Sequence, residues 1–358
     1  MKVDNLIIGA GIAGITLARR IAEEKNESVL LVEKRNHIGG YCYDYRDLEG
    51  ILIHKYGPHI FRTDNTKVYE FLSRFTDWYD YQHKVLTYVG GHYYPMPINL
   101  DTVNNYLNTN YSSADVIEYF DSTRVKIDAP KNVEEVITSQ VGKEFYNQFF
   151  KNYTEKQWGV DPSKLPPEIV ARIPIRANRD DRYFSCRYQG IPIQGYTQML
   201  QNMIDHKKIS VLLNYNFYNH RDEIDAVNVY CSAPIDEFYE YRFGSLPYRC
   251  VSFKFERHNV EKYQPVSVVN YPNENAYTRI TEFKYFTNHQ SKNTVIAKEY
   301  PSGEGDPSYP IPLKENIKLY EKYNELAKEE SVTFIGRLGT YKYYSMDQIV
   351  DEMVEMKL

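Results

Sequence analysis

Three glycines and one carboxylate near the start of the chain have the spacing of a phosphate cradle. Gly9-x-Gly11-x-x-Gly14 follows the apolar run "VDNLII" and opens the helical pattern "ITLARRIAEE"; a second apolar run, "SVLLVEK", ends at Glu33, 19 residues after Gly14. Gly9 permits a tight turn, Gly11 lets the backbone approach a pyrophosphate, and Gly14 lets helix pack on strand. The helix N-terminus supplies amide donors to the phosphates. Glu33 is placed to accept hydrogen bonds from an adenosine ribose. A purely structural glycine turn is the bland alternative, but strand, glycines, helix, strand and acid in register define a dinucleotide site. Gly39-Gly40, six and seven residues beyond the acid, suit a chain passing close under a flat part of the cofactor. No second GxGxxG exists for a nicotinamide. FAD is therefore expected over NAD.

A second set of residues lies outside that fingerprint. Arg172, Arg176, Arg249, Arg279 and Arg337 share the chain with Tyr153, Trp158, Tyr183, Tyr309 and Tyr343. Guanidinium forks suit phosphate, tyrosine hydroxyls donate to the same oxygens, and aromatic faces stack on a base. The combination fits a nucleoside diphosphate substrate. For each arginine the alternative is a surface ion pair, the preferred reading for Arg176 and Arg249. His59, flanked by Gly57-Pro58, is expected to face the flavin, although a lone histidine in an apolar setting is usually a core residue. Hydrolytic equipment is missing: no GxSxG, no Cys-His motif, and no metal-ligand spacing.

The elements that must position these groups follow from pattern. At 358 residues, 42% hydrophobic and 25% charged, the chain is an ordinary globular protein of two or three domains. A net charge of −5 offers no general attraction to nucleic acid. Cys42, Cys186, Cys231 and Cys250 are dispersed, which predicts reduced thiols. No apolar run reaches 18 residues, so no membrane insertion is expected. The start lacks a small-residue cleavage site, and the chain is expected to be cytoplasmic.

Residues 100 to 160 carry a helical pattern. The stretch "GVDPSKLPPEIVARIPIRANRDDRYF" holds four prolines among its arginines, predicting short helices and a mobile segment. Residues 246 to 300 alternate as antiparallel strands, 226 to 234 should rejoin the nucleotide-binding sheet, and the tail should end in a helix near the flavin. The expected architecture is α/β. A discontinuous FAD-binding Rossmann-like domain occupies 1–80, 209–243 and 326–358, with 186–208 as connection. Strands at 81–100, a helical domain with mobile lid at 101–185 and an antiparallel sheet at 244–325 are inserted.

The chain resembles the prokaryotic UDP-galactopyranose mutase family along essentially its whole length. The resemblance is carried in order by "EKRNHIGG", "HKYGPHIF", "YTEKQWG", "RIPIR", "YFSCRYQGIPIQGYT", "PIDEFYEYRFG", "YTRITE", "KEYP" and "GRLGTYKYYSM". It implies that Phe149, Tyr153 and Trp158 line the substrate cleft, the last two near the uridine end, and that Tyr183 stacks on the base. Arg172, on a lid, and Arg279 would hold the diphosphate, with hydroxyls from Tyr309 and Tyr343. Gly9, Gly11, Gly14, Glu33, Lys34, Gly39, Gly40, His59, Arg337 and Met346 would bind FAD. Arg172, Arg279 and His59 form the implied catalytic set.

The implied reaction uses N5 of reduced FAD as nucleophile on the sugar's anomeric carbon. UDP is expelled, the ring opens and recloses as a furanose, and UDP returns with no net redox change. An external reductant such as NAD(P)H, a homodimer and a role in cell-surface polysaccharide biosynthesis are also implied. The chain departs from the family pattern at Arg62 (commonly histidine), Ser345 (commonly aspartate), Cys186 (commonly aspartate) and "SAP" at 232 to 234. Arg62 and Ser345 are thereby candidate sugar contacts. Three readings follow. The first is a nucleotide-sugar mutase acting on UDP-galactose, with UDP-N-acetylgalactosamine or a dTDP-6-deoxyhexose such as dTDP-fucose as alternatives. The second is a flavin oxidoreductase of amine-oxidase type; the third is a flavin-binding protein without catalysis.

Overall fold

In the computed structural model, residues 1–170 and 173–358 are described. The chain forms two compact units, one from 1–81, 186–248 and 307–358, the other from 82–185 and 249–306.

The first unit is built on a parallel sheet in the order Ile209–Leu212, Val29–Val32, Lys2–Ile8, Asp225–Cys231, Val332–Phe334. Val29 through Val32 are all buried. That uninterrupted apolar run suits a parallel strand covered on both faces. The helices Ile12–Arg20, Tyr196–Ile204 and Met346–Glu355 supply one cover through Ile15, Leu17, Leu200 and Val350. Phe217 and Phe238 join the cluster on Leu6 and Leu30. The expected α/β, Rossmann-like architecture is present, assembled from three stretches of chain.

One element departs from the sequence reading. Lys314–Glu329, which begins inside the range 244–325 expected as antiparallel sheet and runs past its end, is a 16-residue helix of the first unit. Its buried positions are Asn316, Tyr323 and Ala327, spaced seven and four apart as one helical face requires. Its other positions are mostly charged, which hid the stripe.

The second unit joins helices to a sheet. Leu100–Leu107, Ser113–Thr123 and Val133–Phe145 start at Asn99, Ser112 and Asn132, whose side chains accept backbone N–H groups of the first turn. Val133–Phe145 runs through a π-helical turn, Tyr146–Lys151, into Asn152–Trp158. Within this unit the strand order is Tyr248–His258, Thr294–Ser302, Arg279–Glu282, Val268–Asn270, Val85–Val89, His92–Met96. The pairing is not antiparallel throughout, as the alternation predicts. Val268–Asn270 lies parallel to Val85–Val89, because the chain between them leaves through the helices rather than a hairpin.

Candidate active site

In the first unit the fingerprint folds as its spacing requires. Gly9 has φ +101°, and a Cβ there would lie 2.2 Å from Ser232 Oγ; one on Gly14 would lie 2.2 Å from the Gly9 carbonyl oxygen. Both positions admit only glycine. Gly11 is different: the nearest atom to its added Cβ is Gly40 Cα at 3.9 Å. The backbone there borders open space, at the N-cap of a helix without side-chain capping, where first-turn amides can receive an anion. Gly11 and Gly39 form a parallel bridge, and the Gly39 amide donates to the Ala10 carbonyl at 2.7 Å. The Glu33 carboxylate is buried and accepts the amides of Ala10 at 3.1 Å and Arg35 at 2.9 Å.

His59 follows a left-handed Gly57. Its Nδ1 lies 2.9 Å from the Gly57 carbonyl oxygen, an acceptor only, so Nδ1 carries the proton and Nε2 presents a lone pair. The His59 amide donates to His54 Nδ1 at 3.0 Å. Burial, with the neighbouring His54 next, pushes the His59 pKa down to about 4, and burial takes His54 to about 3. Both rings are therefore neutral near pH 7. Arg337 donates to the carbonyls of Tyr344 (2.6 Å) and Ser308 (3.4 Å) and sits 5.0 Å over the Tyr309 ring. Its Nε is buried with no partner, a donor left over for a ligand. Tyr309 and Tyr343 meet edge to face at 5.8 Å. Open space at Gly11, the held Glu33 and the orphaned Arg337 Nε fit a flavin dinucleotide.

The second unit holds the arginine–aromatic set. Arg279 opposes Glu299 across an antiparallel pair. Its Nε lies 3.2 Å from Glu299 Oε2, and its Nη2 donates to the Tyr153 hydroxyl at 2.8 Å. Burial raises the Glu299 pKa, opposed by Arg279. Burial also raises that of Tyr153, with Arg279 acting against it. The Tyr153 hydroxyl is thus protonated and, having accepted from Arg279, keeps its own proton for a ligand oxygen. His83, buried, is lowered to about 3 by burial and by Arg279; its carbonyl accepts the Tyr183 amide at 2.8 Å, and its ring meets Tyr183 at 5.5 Å.

The helix Asn152–Trp158, which carries Tyr153, is anchored at its C-terminal end. Arg249 donates to the Gln157 and Lys156 carbonyls at 3.1 and 3.0 Å, capping the helix where Gly159 turns left-handed at φ +65°. A surface ion pair was expected of Arg249; it is instead a buried helix cap. Arg176 does pair with Asp180, at 3.7 Å, but from a largely buried position.

Several expected contacts have other partners. Phe149 is 2% exposed inside a cluster with Tyr94, Tyr106 and Phe145, so it supports the helix and offers a ligand no surface. Ser345 is the N-cap of Met346–Glu355: its amide donates to Gln348 Oε1 at 3.0 Å, and its hydroxyl lies 2.5 Å from Asp347 Oδ1 and 2.8 Å from Gln348 Oε1. Serine and aspartate both serve as N-caps, but only the serine hydroxyl can donate to the neighbouring Asp347 carboxylate. The S-x-x-Q spacing could have shown the cap. Met346 packs on the core of the first unit, and Lys34 is exposed beside Glu237 at 3.5 Å. Arg62 donates to Cys186 Sγ at 3.7 Å, so two departures occupy one place. Arg172 lies outside the described residues. Lys156, unremarked in the sequence, proves heavily engaged.

The parallel sheet, the glycine cradle and the held Glu33 define a Rossmann-like dinucleotide-binding protein. The profile of an NAD(P)-binding Rossmann-like domain matches residues 7–75, and that of the UDP-galactopyranose mutase family matches residues 148–343. A probable UDP-galactopyranose mutase of Klebsiella pneumoniae is 40% identical, covering 98% of this chain and 92% of its own. A dTDP-fucopyranose mutase of Escherichia coli is 39% identical, covering 98% and 96%. A crystal structure of reduced UDP-galactopyranose mutase superposes with a TM-score of 0.78 at 17% identity, covering 99% of this chain and 94% of that one. The chain belongs to the UDP-galactopyranose mutase family, a family of isomerases, and its cofactor is FAD.

Proposed function

We propose that this protein interconverts the pyranose and furanose forms of a nucleotide sugar, with UDP-galactose as its first substrate. The observation that carries the reading is Arg279, braced by Glu299 on one side and hydrogen-bonded to the Tyr153 hydroxyl on the other. That pair is suited to a diphosphate that must leave and be recaptured. FAD, when bound and reduced, supplies an electron-rich nitrogen as nucleophile toward the anomeric carbon. The anomeric C–O bond to the diphosphate breaks and re-forms, and ring closure changes from O5 to O4 in between; no electrons are gained or lost overall.

This chain's residues do the rest. Arg279 neutralises the departing diphosphate, Tyr153 donates to it, and Tyr183 stacks on the base. Arg172 supplies a second cation; Tyr309 and Tyr343 contribute hydroxyls. Neutral His59 offers the flavin ring an uncharged acceptor. An external reductant such as NAD(P)H keeps the flavin reduced, and the working species is a homodimer.

The sugar is the finer question. The two relatives above differ by one percentage point of identity, so overall similarity does not choose between UDP-galactose and dTDP-fucose. Arg62 is the residue that bears on the choice: it brings a permanent charge and a fork of donors beside Cys186. The test incubates dithionite-reduced protein with UDP-galactose, UDP-N-acetylgalactosamine and dTDP-fucose and separates pyranose from furanose by chromatography, in the parent and in Arg62→His. Conversion should appear only after reduction and without stoichiometric use of reductant. Equal turnover by oxidised, anaerobic protein would overturn the reading. Arg62→His should change the ranking of the three substrates by about ten-fold or more; unchanged ratios remove Arg62 from specificity.

A further inference from the structure

Lys156 is a cation placed where cations are costly. Its ammonium donates to three main-chain carbonyls of one short loop, those of Tyr271, Asn275 (2.9 Å) and Tyr277 (3.2 Å). Three donors meet three acceptors, so the group is saturated. Among the described residues no carboxylate pairs with it, and burial lowers its pKa to about 8. Carbonyl dipoles alone compensate the loss of water, an arrangement expected only where the ammonium holds something in place.

What it holds is the hairpin that delivers Arg279. Residues 271–278 connect Val268–Asn270 to Arg279–Glu282, and the loop closes on itself through the Tyr271 amide to the Thr278 carbonyl at 2.8 Å. Asn273 adds a second tie: its side chain accepts from Asn152 at 3.0 Å and donates to the Gln148 carbonyl at 3.2 Å. Tyr153 and Lys156 are three residues apart on one helix, hence on one face. The first touches the Arg279 guanidinium and the second the loop just before Arg279. Two contacts on one face fix both the rotation of the helix and the reach of the arginine.

We propose that Lys156 is a positioning residue for the reaction, gathering the loop 271–278 against the helix Asn152–Trp158 so that Arg279 and the Tyr153 hydroxyl present one joint site to the diphosphate. It deepens the function proposed above and rests on it, since it assumes that the pair binds a nucleoside diphosphate. The role is indirect: Lys156 has no donor left for a ligand.

The test is a double-mutant cycle on FAD-loaded protein, with UDP as the probe and calorimetric affinity as the readout. Lys156→Met keeps the length of the side chain and removes the charge; Tyr153→Phe removes the hydroxyl. Each single change should weaken UDP binding roughly ten-fold, and the pair together should weaken it hardly further, because both act through one arrangement. Additive losses overturn the proposal. Hydrogen exchange separates its failure from failure of the functional reading. If the parent binds no UDP, that reading is wrong, whereas Lys156 is judged by the Tyr271 amide. That amide should exchange much faster in Lys156→Met and unchanged in Tyr153→Phe. Unaltered protection in Lys156→Met overturns the positioning role whatever UDP does, and should that variant fail to fold, Lys156→Arg gives the same two readouts with partial rescue expected.

Discussion

Replacing Arg279 by alanine removes two things that can be measured apart. One is the proposed charge-assisted contact to the diphosphate, made beside the Tyr153 hydroxyl to which Arg279 donates at 2.8 Å. Losing such a contact in a desolvated site costs about 2–5 kcal/mol. At about 1.36 kcal/mol per decade this is a fall of roughly thirty- to several-thousand-fold in kcat/KM. The other is the partner of Glu299, whose side chain is 6% exposed. Stranding a buried carboxylate costs about 3–5 kcal/mol of stability, seen as a drop of several degrees or more in Tm. The pH dependence has a definite sign. Glu299 already titrates above its ordinary value because burial outweighs Arg279, and without Arg279 it titrates higher still. A carboxylate raised in the folded state favours folding while protonated and loses that contribution as pH rises through its folded pKa. The Tm deficit of Arg279→Ala should therefore be small near pH 4.5 and grow toward pH 7.5. Adding Glu299→Gln should recover most of the Tm and none of the turnover. Turnover of Arg279→Ala within a few-fold of the parent, or recovery of turnover in the double variant, would refute the reasoning.

Two further outcomes follow from the first unit. Gly14→Ala should destabilise the protein by about 1–3 kcal/mol or prevent folding, since its Cβ meets a backbone carbonyl at 2.2 Å; Gly11→Ala should fold with near-parent Tm yet retain much less FAD, read from the ratio of flavin to protein absorbance. His54 and His83 are buried and His59 is half-buried, all three neutral, with pKa values pushed down to about 3, 3 and 4. Groups depressed in this way protect the fold above the unfolded-state value near 6.5 and lose that effect as pH falls toward 4. Tm should decline steadily over that window, and His83→Phe should flatten the decline.

The sequence by itself determined the dinucleotide cradle, because all of its geometry is local. Strand, turn and helix lie within the single stretch Lys2–Arg20, and only glycine satisfies the φ of Gly9 and the contact at Gly14. The family resemblance likewise came from ordered local motifs, and with it the pairing of arginines with aromatics. What tertiary structure alone decided is which of those residues are packed into the core and which reach Arg279. Phe149 and Tyr153 are four positions apart, yet the first is packed among Tyr94, Tyr106 and Phe145 while the second meets Arg279, 126 residues away. Periodicity puts both on one side of a helix and cannot say where the core ends. Arg249 and Lys156 look like surface charges in the sequence, because their partners are main-chain carbonyls, which leave no mark in amino-acid type, and they lie 92 to 121 residues away. The helix Lys314–Glu329 and the parallel pairing of Val268–Asn270 with Val85–Val89 escaped for a related reason. A sparse buried stripe that includes an asparagine and a strand's neighbour are fixed by what the rest of the chain packs against them, and that information is distributed over the whole fold.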